Sequence, residues 1–163
     1  MWGILVPAGS RPLDEYLFII IVSEVKFYIL TGTDMKLILH DIMKYKISCL
    51  VSLPTWTNLV FSNLGDTTLP WMKHVVCGGD LVSDALLQRI ATGSPNAQCL
   101  NLYGPTETTV FCMAYSCDPK TTKGPLPIGT PISGAYMYPQ CFSRFVSFFD
   151  KQKVLVEREA ATS

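Results

Sequence analysis

Asn101-Leu102-Tyr103-Gly104-Pro105-Thr106-Glu107-Thr108-Thr109 places an amide, an aromatic ring, a tight turn, hydroxyls and a carboxylate at the end of one apolar run, Ala97 to Leu102. In an open α/β sheet, ligands bind in the crevice beyond the carboxyl ends of the strands. Gly104-Pro105 ends the strand and turns the chain there. Each residue type has a task around a nucleotide phosphate and its metal. Tyr103 could stack on a purine, and Thr106 could donate its hydroxyl to a phosphate oxygen. Glu107 offers a hard oxygen ligand, and Mg²⁺ usually takes one or two carboxylates plus substrate phosphates. The competing reading is a Ser/Thr-type turn with incidental polar residues, and spacing alone leaves both open.

The elements that must position this string alternate along the chain. Ile47 to Ser52, His74 to Cys77 and Ala97 to Leu102 are short, continuous apolar runs of the kind found in strands buried on both faces. Amphipathic segments lie between them, the pattern of βαβ units on a parallel sheet. Asp34 is placed to cap a first helix, with Met35, Ile38, Leu39, Ile42 and Tyr45 on one face and Lys36, His40 and Lys44 on the other. Pro54 suits the first turn of a second helix carrying Trp56, Leu59, Val60 and Leu64. Ser83 suits the cap of a third, with Leu86, Leu87 and Ile90 inward, Gly93 ending it and Pro95 beyond. Leu17 to Leu30 reads as buried sheet, because Glu24 and Lys26 interrupt it and it falls short of the roughly 20 apolar residues that span a bilayer. Val110 to Tyr115 reads as a further strand and Cys117 to Pro127 as a loop.

The string NLYGPTETT resembles a motif of the adenylate-forming (AMP-dependent synthetase/ligase) superfamily, in the order used by nonribosomal peptide synthetase adenylation domains. The superfamily also includes acyl-CoA synthetases and luciferases. Leu126-Pro127-Ile128-Gly129-Thr130-Pro131-Ile132 resembles the PIGxPI segment that follows at a similar distance, so two motifs stand in register. Val75-Val76-Cys77-Gly78-Gly79-Asp80-Leu81 is similar to the strand that lies against the adenine, with aspartate where glutamate is more usual. Val51-Ser52-Leu53-Pro54 resembles the strand-to-helix junction before it. Phe18, Glu24 and Leu30-Thr31-Gly32 keep the spacing of an earlier segment, FDxSxxE…LLxG, without its intervening residues. The resemblance runs from Leu17 to Tyr138, with residues 1–16 a leader that has no clear match and residues 139–163 a divergent tail of unassigned role.

This resemblance implies a fold and a chemistry. The fold is α/β: a partial parallel βαβ sheet with flanking helices, a fragment of the large N-terminal domain of adenylate-forming enzymes. The chemistry is attack of a carboxylic acid on the α-phosphate of ATP, giving an acyl-adenylate and pyrophosphate, followed in most members by transfer to a thiol, phosphopantetheine or CoA. By the motif, Tyr103 stacks on adenine, Gly78, Gly79 and Asp80 border its pocket with Asn101 and Gly104 beside it, Thr106 touches the α-phosphate and Glu107 helps hold Mg²⁺. The matching acyl-pocket positions are Ile19, Ile20, Ser23, Ser52, Val76, Gly78, Leu102, Val110 and Phe111. Ile19 stands where the peptide-synthetase branch usually pairs an aspartate with a substrate amino group. An unpaired buried charge costs several kcal/mol, so a fatty, aryl or other amine-free acid is expected over an α-amino acid.

The remaining composition sets limits. Thirteen basic and thirteen acidic residues cancel, so no charge excess draws the chain to nucleic acid or to an anionic membrane surface. Met1 to Ala8 lacks the basic flank and apolar core of a secretory signal, leaving the cytoplasm as the default expectation. The six cysteines, Cys49, Cys77, Cys99, Cys112, Cys117 and Cys141, form no CxxC pair and read as small buried hydrophobes. A Ser/Thr/Gly-rich phosphate loop with its lysine, the aspartate motif for the ribose and the small C-terminal domain with its lysine are not found in the 163 residues. The chain is therefore expected to be part of a larger enzyme, inactive by itself, with a carboxylic acid as substrate and a carrier-protein domain as a partner. The alternative is a non-catalytic nucleotide-binding or scaffold domain of the same fold. An unrelated α/β domain would differ in one respect: Gly78-Gly79-Asp80 and Tyr103 would not converge on one crevice.

Overall fold

A computed structural model describes residues 2–5, 26–30, 33–104, 111–133, 135–140 and 153–158. Its main sheet contains β1 (Trp2–Leu5), β2 (Phe27–Leu30), β3 (Cys49–Ser52), β4 (His74–Gly78), β5 (Gln98–Tyr103), β6 (Met113–Cys117) and β7 (Thr130–Pro131). The spatial order is β2-β1-β3-β4-β5-β6-β7. Strands β2 through β5 pair in parallel, and β6 and β7 add antiparallel. Two further strands, β8 (Ala135–Gln140) and β9 (Lys153–Arg158), pair antiparallel in a separate small sheet.

Helices α1 (Met35–Lys44), α2 (Pro54–Ser62) and α3 (Asp84–Gly93) connect the parallel strands. The local signals act as their chemistry dictates. Asp34 accepts a hydrogen bond from the Lys36 backbone N–H at 2.9 Å, and Lys44 sits in the last turn, where the helix dipole favours a cation. Pro54 opens α2, where a missing N–H costs nothing. The Ser83 hydroxyl accepts from the Leu86 N–H at 3.3 Å.

These helices cover one sheet face. Ile38, Leu39, Ile42, Val60, Phe61, Leu86, Leu87 and Ile90 pack there against Leu50, Val75, Cys77 and Cys99. Because side chains alternate along a strand, the intervening residues turn to the other face. Ile4, Cys49, Val51 and Val76 form a smaller cluster there, with Trp2, Phe27, Leu100 and Leu102 against it.

Several expectations shift. Leu17 to Leu30 was expected as buried sheet, but its described part, β2, is the outermost strand, with Leu30 buried and Ile29 exposed. Strand β1, Trp2–Leu5, lies between β2 and β3. The strand expected over Val110 to Tyr115 runs instead over Met113–Cys117. In α2 the buried residues are Pro54, Thr57, Val60 and Phe61, while Leu59 is exposed. Thr57 takes an inward place because its hydroxyl finds partners there. Among the described residues no helix is long and apolar enough to cross a membrane.

Candidate functional site

Adjacent parallel strands β4 and β5 end side by side, with Gly78 opposite Leu102 in the register. The Gly78-Gly79-Asp80 turn and Tyr103 thus lie at the carboxyl ends of neighbouring interior strands. Each glycine there has a physical reason. A Cβ on Gly78 would lie 2.8 Å from the Phe111 ring carbon Cε1 and 2.9 Å from the Leu102 carbonyl oxygen, so only glycine lets the ring rest on the end of β4. Gly79 has φ +85°, a left-handed conformation that side chains rarely adopt. Asp80 is exposed, and one carboxylate oxygen accepts from the Leu81 N–H at 2.7 Å.

Tyr103 closes β5 with 37% of its surface exposed, enough to leave its ring accessible. Its backbone is held by the residue just before β6: Cys112 N–H donates to the Tyr103 carbonyl at 2.9 Å, and the Cys112 thiol lies 3.6 Å from the same oxygen. Gly104 follows, half-buried. Asn101 is buried, and its Nδ2 donates to the Pro127 carbonyl at 2.8 Å.

The acyl-pocket positions divide between the two sheet faces. Val76, Gly78 and Leu102 share the face opposite the helices, with Phe111 against Gly78. Ser52 points to the helical side, its hydroxyl 2.6 Å from Thr57 Oγ1. Ile19, Ile20, Ser23, Thr106, Glu107 and Val110 lie outside the described residues. Sequence reasoning missed Thr57, which also lies 3.4 Å from the Cys77 sulfur beneath the β4 end. It missed the contact of Gly124 and Pro127 with this region too; the turn composition marked a loop but not what the loop touches.

The five described cysteines are buried free thiols. Cys77, Cys99 and Cys117 sit on neighbouring strands β4, β5 and β6, and Cys99 faces Cys117 in the register. The hydrogen bond from Cys99 draws the Cys77 thiol down in pKa, against the effect of burial and with a further contribution from Thr57. The same contact, followed by burial, holds the Cys99 thiol up. Burial pushes the Cys49 thiol up to about 12. The raised values keep Cys49 and Cys99 protonated and unreactive at neutral pH.

Comparison with known proteins adds the family. The model of the AMP-binding enzyme family matches residues 15–138. Tyrocidine synthase 3 of Brevibacillus parabrevis is 34% identical over 93 residues, covering 57% of this chain and 1% of that protein. Indigoidine synthase of Dickeya dadantii is 30% identical over 98 residues, covering 58% of this chain and 7% of that protein. The fold is that of O-succinylbenzoate coenzyme A synthetase from Bacillus subtilis, solved with ATP and magnesium, at TM-score 0.73 and 13% identity over 96% of this chain and 33% of that one. The N-terminal subdomain of NpsA from Klebsiella oxytoca, solved with 3-hydroxybenzoyl-AMSN, also gives TM-score 0.73, at 16% identity over 96% of this chain and 42% of that one. This chain thus spans a small part of the curated relatives it matches and less than half of either solved chain. With its parallel sheet, its glycine-bordered strand ends and a match across residues 15–138, the chain belongs to the AMP-binding enzyme family of adenylate-forming proteins.

Proposed function

We propose that this chain forms the nucleotide-facing wall of an ATP-dependent enzyme that activates a carboxylic acid. The observation that carries the reading is the meeting of Gly78-Gly79 and Tyr103 at adjacent strand ends, beside Asn101. Gly79 closes the turn without a side chain, the Phe111 ring covers Gly78, and the half-open tyrosine offers a stacking face at the same strand end. Asn101 Oδ1 has no hydrogen-bond partner among the described residues and suits the exocyclic amine of adenine. These features fit an adenine. Asp80 borders the same pocket, and Gly104 brings the turn close to the ligand.

In the proposed reaction a carboxylate oxygen forms a bond to the α-phosphorus of ATP, and the bond from that phosphorus to the bridging oxygen breaks, releasing pyrophosphate. Thr106 donates its hydroxyl to the α-phosphate, and Glu107 supplies an oxygen to Mg²⁺, which would neutralise phosphate charge. Val76, Gly78, Leu102 and Phe111, with Ile19, Ile20, Ser23 and Val110, bound an apolar acyl pocket suited to an acid without an amino group, whereas Ser52 faces the helices and stands outside it. Transfer to a phosphopantetheine thiol of a carrier-protein domain, or to CoA, completes the scheme. These 163 residues by themselves supply one wall and do not turn over.

Titration calorimetry tests the site. Native chain is expected to bind ATP more tightly with Mg²⁺ than without, and Glu107→Ala to lose that difference. Tyr103→Ala is expected to weaken ATP by roughly tenfold, since base–aromatic stacking is worth about 1–3 kcal/mol. An identical magnesium response in native and Glu107→Ala chains would refute the role of Glu107, and unchanged ATP affinity in Tyr103→Ala would refute the stacking.

A further inference from the structure

The loop between Cys117 and Thr130 returns to the sheet and makes contacts at two places. Gly124 N–H donates to Asp84 Oδ1 at 3.2 Å, and Leu126 N–H donates to the Val82 carbonyl at 3.1 Å. One residue later the Pro127 carbonyl accepts from Asn101 Nδ2 at 2.8 Å. Residues 124–127 therefore bridge the start of α3 and the side chain of Asn101. The fit at the α3 end is tight. A Cβ on Gly124 would lie 2.5 Å from the Asp84 backbone nitrogen and 2.7 Å from the Ser83 carbonyl carbon, atoms that cannot rotate aside. Leu126 is buried in the helix-side core, and the second Asp84 oxygen accepts from Gln88 Nε2 at 2.8 Å, so the α3 end and the middle of the bridge are anchored.

This bridge decides the chemistry that Asn101 presents. A primary amide has a donor end and an acceptor end. Opposite a carbonyl, the NH₂ end gains a hydrogen bond, whereas the flipped amide would set two oxygens against each other. The Pro127 carbonyl thus holds Nδ2 and leaves Oδ1 without a partner among the described residues.

We propose that residues 124–127 act as a positioning strut, anchored by Asp84 and fitted through Gly124, that fixes the Asn101 amide and makes the site select a 6-aminopurine over a 6-oxopurine. The identity of the ligand rests on the nucleotide reading above; the strut does not. An amino group on the ligand can donate to Oδ1, and a carbonyl oxygen cannot. With the strut displaced, the amide is free to turn either end to the ligand, and discrimination falls.

Two measurements on the full chain separate the parts of the proposal. In ¹⁵N-labelled protein, the Asn101 side-chain amide, assigned by its loss in Asn101→Asp, is expected to exchange slowly with water in the native chain and at least tenfold faster in Gly124→Ala and Asp84→Ala. Asp84→Asn keeps the acceptor oxygen and is expected to behave as native. If Gly124→Ala does not fold, Asp84→Ala, which adds no atom, carries the comparison. Free exchange in the native chain, or unchanged exchange in the folded variants, overturns the strut. Calorimetry with ATP and GTP provides the second arm. Native chain should prefer ATP, and the preference should fall about tenfold in Gly124→Ala and Asp84→Ala, the order expected from one hydrogen bond. Equal weakening of both nucleotides would overturn the selectivity, since a purely structural role predicts that result. Failure of the native chain to bind either nucleotide would refute the nucleotide reading, and the exchange rates would still decide the strut.

Discussion

Within one residue, β4 passes from a buried thiol at Cys77 to a bare backbone at Gly78, and Thr57 underlies the change. This threonine is fully buried; its Oγ1 lies 2.6 Å from Ser52 Oγ, donates to the Leu53 carbonyl at 3.1 Å and approaches the Cys77 sulfur at 3.4 Å. It ties the ends of β3 and β4 to the first turn of α2, just below the crevice. Thr57→Val keeps the shape and removes the hydroxyl, leaving its polar neighbours short of a partner. Its expected cost is about 1–3 kcal/mol of unfolding free energy, measured by urea denaturation; a loss under roughly 0.5 kcal/mol, the range of ordinary surface changes, would show the network to be incidental. Thr57 was not legible in the sequence, because apolar periodicity scores a hydroxyl as outward. The same reading placed Leu59 among the apolar residues of α2 and overlooked the inward role of Phe61. Gly78, Gly79 and Tyr103 were legible as motif residues, whereas the reason for Gly78, a ring lying on its backbone, was not.

Among the elements, α3 ties the site to the strut, since its first turn holds the Ser83 cap and Asp84. Removing the capping hydroxyl in Ser83→Ala is expected to cost about 1 kcal/mol, seen as a lower urea midpoint at unchanged slope. A variant as stable as the native chain would mean that Leu86 N–H finds water at no loss. The caps at Asp34 and Ser83 and the proline opening α2 were all readable from local sequence, because capping depends on neighbours a few residues away. Strand direction was less readable. Alternation of side chains is the same in parallel and antiparallel pairs, yet residues 104–112 between β5 and β6 are too few for a crossover, which needs about a dozen or more. Accordingly β6 pairs antiparallel to β5. The outermost place of β2 was hidden for a different reason: an apolar run shows that a strand is suited to burial, not which neighbours cover it.

For the whole molecule, the decisive question is how many walls of an adenylation site these residues supply. The described residues contribute glycine-bordered strand ends, a half-open tyrosine ring and an apolar sheet face. Charge developing on the phosphorus needs donors and cations aimed at it, and no Ser/Thr/Gly-rich loop with a lysine is read in these 163 residues. The purified chain is expected to give no ATP–pyrophosphate exchange with a panel of fatty, aryl and amino acids. Exchange above a heat-treated control would overturn this. The sequence by itself determined the family, through two motifs in register, along with the helix caps and the alternation that makes a parallel sheet, since all of these are encoded by residues close together in the chain. Only the tertiary structure decided that Asn101 turns its amide to Pro127, that Ser52 faces the helices and that residues 124–127 brace the strand end. Those outcomes depend on which backbone groups are brought within about 3 Å across sequence separations that no local pattern reports.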